Sequence, residues 1–166
     1  NPFREIAVQI ELDRIDYYIL DRLQNNARIT NKELAAAVGL APSSCLSRVQ
    51  RLRAEGILGE SHARVAPEAL GIGLQALVAV RLRQHSRQQV KAFWKHALGL
   101  PEVLAVFHLS GAQDFLVHVA LLDAAHLRDL ALDAFTARSE VAHLETSVLF
   151  DHAVKPAFPN LRKTTT

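Results

Sequence analysis

Residues 29–56 read ITNKELAAAVGLAPSSCLSRVQRLRAEG, and this stretch decides the fold of the N-terminal third. Thr30-Asn31-Lys32-Glu33 is a capping box, in which the threonine hydroxyl and the glutamate carboxylate each accept a backbone N–H at a helix start. Ile29, just before the cap, is placed to close on Leu34 as a hydrophobic staple. The helix so begun buries Leu34, Ala35 and Val38 and stops at Gly39. Pro42 suits the first turn of the next helix, where its missing N–H is not needed. That helix has Cys45, Val49 and Leu52 as its apolar face and Gly56 as its end. A small residue at the crossing (Ala35), a turn glycine (Gly39) and a plug between the helices (Leu40) complete a helix-turn-helix pattern.

Working outward, Asp13 caps an earlier helix with the stripe Ile15, Ile19, Leu20 and Leu23. Downstream, Gly59, Pro67 and Gly71 punctuate a linker over 57–73, with short extended pieces at 57–58 and 63–66. Beyond it the period changes. Extended runs at 74–83, 103–109, 115–122 and 143–150 alternate with two helices. One spans 88–98, with Val90, Phe93, Trp94, Ala97 and Leu98 on one face. The other is capped by Asp123 and buries Leu127, Leu130, Ala131, Ala134 and Phe135. The expected class is α+β: an N-terminal winged helix-turn-helix domain of three helices over 1–56, and a C-terminal ferredoxin-like βαββαβ domain over 74–155. A polar tail follows over 156–166, with its end, 163–166, expected to fray.

The 166 residues carry 19 Lys and Arg against 17 Asp and Glu, a formal charge of +2, which excludes a uniformly basic coat. Local charge differs. Between residues 28 and 53, Arg28, Lys32, Arg48, Arg51 and Arg53 stand against Glu33 alone, a net of +4. The third helix carries Ser43, Ser44, Ser47, Arg48 and Arg51 away from its core stripe, with Gln50 to one side. Short hydroxyl residues permit close approach to a groove, and arginines reach phosphates or guanine edges. Arg28, Asn31 and Lys32, around the start of the second helix, complete the expected contacts to double-stranded DNA.

Apolar residues make up 49% and charged ones 22%, ordinary globular proportions. No run reaches 18 apolar residues, and 1–11 lack the apolar centre of a signal peptide, so a cytoplasmic protein is expected. Cys45, the single cysteine, excludes an internal disulfide and a cysteine zinc cluster; it reads as a small buried hydrophobe in a reduced compartment. Histidines 108 and 118 fall on neighbouring strands, but no carboxylate or cysteine joins them at ligand spacing, and no metal or cofactor is expected. Nor is an enzyme: there is no nucleophile beside a base, no phosphate loop and no paired carboxylates.

The strand runs are apolar on both faces. Leu77 and Ala79 interleave with Ala76, Val78 and Val80, and Leu104 and Val106 with Val103, Ala105 and Phe107. Helices cover one face of such a sheet; a second copy is the simplest cover for the other, giving an isologous dimer. Such a dimer would set two reading helices about 34 Å apart. In the turn 110–114, Gly111 permits close backbone approach and Asp114 puts a carboxylate at the sheet edge. Together they could hold the amine of a small zwitterion, although on the residues alone a plain hairpin turn, with Gly supplying positive φ and Asp bonding its own backbone, is the first reading.

The run Leu12-Asp13-Arg14-Ile15-Asp16, then Ile19-Leu20, Leu23-Gln24, the stretch from Ala27 to Ala35, Val38-Gly39-Leu40, Arg48-Val49, Leu52 and Glu55-Gly56-Ile57 resemble the Lrp/AsnC family of transcription regulators. The turn from Gly111 to Asp114 is similar to that family's Gly-x-x-Asp signature. The resemblance covers about residues 12–155. It implies a DNA reader joined to a ferredoxin-like domain that dimerises and often builds tetramers or octamers, with an amino acid bound between protomers altering assembly or DNA affinity. Ser43, Ser44, Ser47, Arg48 and Arg51 match the groove-facing positions, and Leu109, Ser110, Gly111, Gln113 and Asp114 the effector region. The chain departs from the pattern at Ala112 and Gln113, where the family has an acidic and often an aromatic residue, and at Glu60, where an aromatic is frequent. A competing reading is an architectural or small-molecule-binding oligomer without effector control.

On this reading Arg48 discriminates bases while Lys32 holds a phosphate. Lys32→Ala is expected to weaken binding to all duplexes by a similar factor and to flatten the slope of log affinity against log salt by about one per head, about two for a dimer. Fluorescence anisotropy on several unrelated duplexes checks this, and a loss confined to one sequence would refute it.

Overall fold

A computed structural model describes residues 11–161; residues 1–10 and 162–166, and with the latter the tail end 163–166 expected to fray, lie outside the described residues. Two compact units form, one from 11–63 with 153–161, the other Arg64–His152.

The first unit holds α1 (Arg14–Asn25), α2 (Asn31–Val38) and α3 (Pro42–Ala54). Both α1 and α2 open with full capping boxes, Asp13 with Asp16 and Thr30 with Glu33. Gly39, at φ 70°, closes α2 in a left-handed conformation that a side chain would resist. Ile19, Leu34, Ala35, Cys45, Val49 and Leu52 form the buried core, and Ile15, Leu20, Leu23, Ile29, Val38 and Leu40 pack against it. After α3, Gly56 at φ 69° turns the chain back so that the N–H groups of Ile57 and Leu58 both donate to the Leu52 carbonyl, at 2.9 and 3.0 Å. Ile57 and Leu58 therefore finish the head's core, and the extended pieces expected at 57–58 and 63–66 do not become strands.

The second unit runs β1 (Leu74–Leu82), α4 (Arg87–Leu98), β2 (Val103–His108), β3 (Phe115–Leu121), α5 (Ala124–Leu130) and β4 (Val141–Val148). The sheet order is β2-β3-β1-β4, with antiparallel pairing throughout: the α+β ferredoxin-like arrangement. Ala76, Val78, Val80 and Leu82 of β1 and Phe115, Val117, Val119 and Leu121 of β3 are buried beneath the helices. Phe93 of α4 stacks between Phe115 and Phe135, at centroid distances of 4.7 and 6.0 Å. Two details differ from expectation. Leu98 is 55% exposed rather than buried. The helix after Asp123 continues as a π-helical segment, Ala131–Thr136. Its wider turn brings Phe135, five residues beyond Leu130, onto the core row in place of Ala131.

The face away from the helices is apolar over much of its centre, where Gln75 and His118 of the two central strands hydrogen-bond each other at 2.8 Å, and polar at the β4 edge. Leu77, Ala79, Leu116, Ala120 and Ala105 are half-buried there, and Phe107, paired with Leu116, is exposed. On β4 the same face carries His143, Glu145 and Ser147, all exposed, so the expected apolar second face stops at that strand. No helix among the described residues is long and apolar enough to cross a membrane.

Gly73 enters the sheet beside the β3 end, and a Cβ there would lie 2.5 Å from the Leu122 carbonyl oxygen, whereas one at Gly59 would meet nothing within 4 Å. Gly73→Ala is expected to cost about 1–3 kcal/mol and Gly59→Ala to leave the melting temperature where it was. Calorimetric melts of the two variants decide the point; equal melting temperatures would contradict it.

Candidate functional site

The expected reading surface lies on α3. Its buried row is Cys45, Val49 and Leu52, while Ser43, Ser44, Ser47, Gln50 and Arg51 are exposed and Arg48 is half-buried. Arg48 and Arg51 both make ion pairs within the head. Arg48 Nη1 reaches Asp13 Oδ2 at 2.6 Å and Asp16 Oδ1 at 2.9 Å; Arg51 Nη2 reaches Asp16 Oδ2 at 2.5 Å. Asp16 is 1% exposed, and a carboxylate that far from water persists only with close donors. The two arginines supply them, and the Asp13 N–H adds a third at 3.2 Å. The geometry thus adds to the picture of two arginines facing a groove: both are also tied to carboxylates at the start of α1 that the count over 28–53 left out.

The other expected DNA contacts sit as follows. Asn31 donates from Nδ2 to the Pro42 carbonyl at 2.8 Å, tying the start of α2 to the start of α3. Arg28, Lys32 and Arg53 are exposed and form no ion pair with another described residue. Ala41 gives α3 no side-chain cap, which leaves the helix's N-terminal amides able to accept an anion.

In the second unit the β2–β3 turn brings Leu109, Ser110, Gly111, Gln113 and Asp114 together. Leu109 donates to the Asp114 carbonyl at 2.9 Å, and Gly111 takes φ 141°, a value that favours glycine. Asp114 is not a free carboxylate at the sheet edge. Its Oδ2 accepts the Leu82 N–H at 2.6 Å, its Oδ1 lies 2.6 Å from His85 Nδ1, and its side chain is 13% exposed. It stitches β3 to β1 where the β1–β4 register shifts at Arg81/Leu82. Gln113 is half-buried, and its Oε1 is buried without a hydrogen-bond partner, so an unused acceptor lies inside this turn. The His85 and His108 rings stack at 5.7 Å, and His108 on Phe115 at 5.0 Å. His108 pairs with Phe115 on the helix-covered face, while His118 pairs with Ala105 on the open one. No group of three or more metal-ligating side chains occurs among the described residues. Burial pushes the Cys45 thiol up, in keeping with a packing role.

Sequence reasoning missed Asp16. Its signal was there: it falls four residues after Leu12 and three before Ile19, in phase with the apolar stripe, where an ionisable residue demands partners.

Residues 12–53 match the model of the AsnC-type helix-turn-helix domain, and residues 75–157 that of the Lrp/AsnC ligand binding domain. The chain is 40% identical over 142 residues to the HTH-type transcriptional regulator AldR of Mycolicibacterium smegmatis, covering 86% of this chain and 83% of that protein. It is 36% identical over 141 residues to the leucine-responsive regulatory protein of Rhizobium meliloti, covering 85% and 90%. Among solved structures, a transcriptional regulator of Neisseria meningitidis in complex with L-methionine superposes with a TM-score of 0.79 at 32% identity, over 87% of this chain and 94% of that one.

The two capping carboxylates generate a pH prediction. Asp13 titrates below its ordinary 3.8, chiefly through the Asp16 N–H with help from Arg48, and Glu33 below its ordinary 4.5 through the N–H and hydroxyl of Thr30. A depressed folded value means stabilisation that is complete above the ordinary value and lost as pH falls through the lower one. The amide resonances of Asp16 and Thr30, the two donors, should therefore titrate with midpoints below 3.8 and 4.5 respectively. Midpoints at or above those values in an NMR titration would show the caps are not formed in solution.

Proposed function

The chain belongs to the Lrp/AsnC family of transcription regulators, and from that premise we propose how its two units divide the work. The protein is a DNA-binding transcriptional regulator whose activity is modulated by an effector. The first unit docks α3 in the major groove of double-stranded DNA through the face bearing Ser43, Ser44 and Ser47, with the uncapped start of α3 against a phosphate. Arg28, Lys32 and Arg53, with the hydrogens that Arg51 does not give to Asp16, hold the neighbouring backbone. Asn31 and Arg48 fix the reading helix in place. The observation that carries this reading is the exposed hydroxyl-rich face of α3, presented by a helix pair that the buried Asp16 braces from behind.

The second unit binds a small effector, an amino acid, at the turn of Leu109, Ser110, Gly111 and Gln113. The buried, unpartnered Gln113 Oε1 supports a ligand that brings its own N–H donor, and Asp114 shapes the turn. The apolar centre of the open sheet face, with Phe107 49% exposed, supports a homodimer and further assembly built on it. Effector bound between protomers shifts DNA affinity only as far as it distinguishes one assembly from another. The protein works in the cytoplasm, where its duplex lies.

With Arg28, Lys32 and Arg53 of each head on phosphates, a dimer neutralises about six, so log affinity should fall against log salt with a slope of about −5. Anisotropy titrations on genomic duplex from low to physiological salt measure it, and binding indifferent to salt would sink the assignment. A thermal-shift panel of the standard amino acids, repeated by light scattering, is expected to show at least one that raises the melting temperature and changes particle size together.

A further inference from the structure

We propose that Gln50 is a specificity-determining residue, reading an adenine in each half-site; this rests on α3 being the DNA-facing helix. At 100° per residue, Ser43, Ser47, Gln50 and Ala54 all fall within about 50° of the direction opposite the buried row. Arg51 lies as far out on the other side, but its guanidinium leans back to Asp16, and Arg48 lies deeper on that flank. Gln50 is exposed and makes no hydrogen bond among the described residues. Of the long polar side chains on α3 that point outward, it is the one not committed elsewhere in the head.

Its chemistry is specific. A carboxamide offers an acceptor and a donor side by side, matching the N6 amino group and N7 of adenine in the major groove. Ser47 and Ser43 lie one and two turns N-terminal on the same row, and their short side chains let α3 sink until Gln50 meets a base edge. Leu46, at i−4 from Gln50, is 45% exposed and offers an apolar contact to a thymine methyl. Both neighbours therefore favour an A·T pair at this step, whereas the arginines that would favour guanine are held by carboxylates.

The test is selection of bound duplexes from a random pool by the full chain and by Gln50→Ala and Gln50→Glu, each first checked for an unchanged thermal melt. The wild type is expected to enrich an adenine at one position of each half-site by roughly tenfold or more over the other bases. In Gln50→Ala that preference should fall to near unity, and in Gln50→Glu it should move toward cytosine, whose N4 amino group donates to a carboxylate. Since Gln50 is exposed and makes no hydrogen bond among the described residues, both variants are expected to fold, and the Glu variant reports a change of preference rather than only a loss. If all three proteins enrich the same bases at every position, Gln50 does not read DNA and the inference fails while the DNA-binding reading stands. If the wild type retains no duplex at low salt, the reading itself fails and this inference with it.

Discussion

The head depends on one buried carboxylate. Asp16 sits 1% exposed at the first turn of α1, and its oxygens take a guanidinium hydrogen from each of two arginines on α3. Removing a charge from water costs several kcal/mol unless donors replace the lost hydration. α3 is therefore held in the one position where Arg48 and Arg51 both reach. The same residue caps its own helix through the Asp13 N–H, so one side chain fixes where α1 begins and how α3 lies across it. For a protein that places a helix in a groove, that constraint sets the direction in which every α3 side chain points.

A second carboxylate plays the corresponding part in the other unit. Asp114 takes the last N–H of β1 and the ring of His85, and it fixes the β2–β3 turn against the central strand. Gly111 then shapes the loop, and Gln113 is left with a buried acceptor unpaired. Buried unsatisfied acceptors are uncommon, and one inside the turn is where a ligand with an N–H would gain most. In both units the acidic residue builds a frame and leaves neutral polar groups uncommitted, outward on α3 and buried within the turn at Gln113.

Much of this was legible in the sequence because it is local. Capping boxes, turn glycines and apolar periods act within four residues, and they located α1, α2, α3 and the βαββαβ order. The strand boundaries moved by one or two residues, as hydrogen-bond ladders end where partners do. What could not be read were interactions that span the chain. Asp16 is 32 residues from Arg48, and Asp114 is 32 from Leu82; no window of a dozen residues contains both partners. The helical wheel around α3 was legible and its charges were counted, but the opposing carboxylates on α1 were not set against them. The extended pieces at 57–58 failed for a different reason: Gly56 redirected their N–H groups to Leu52, and a ladder had no donors left there. The π segment needed the size of Phe135 weighed against that of Ala131, which a period-based reading ignores.

The carboxylate brace also separates two quantities that DNA readers often mix. Where arginines of a recognition helix are free, the same side chains supply long-range attraction and base discrimination, and salt changes both. In this head, two of the three arginines on α3 are neutralised by carboxylates at the start of α1, and the unpaired cations nearest α3 in sequence include Arg28, Lys32 and Arg53, on the α1–α2 turn, early in α2 and on the opposite flank of α3. Attraction to the backbone then comes from the periphery, while the outward row of Ser43, Ser47 and Gln50 is uncharged. Uncharged groups gain little from an unmatched phosphate and lose their hydration unless a base edge pairs with them. On the proposed docking of α3, the arrangement gives a modest hold on arbitrary duplex together with a contact surface that is rewarded only by the right bases, and both properties trace back to the burial of Asp16.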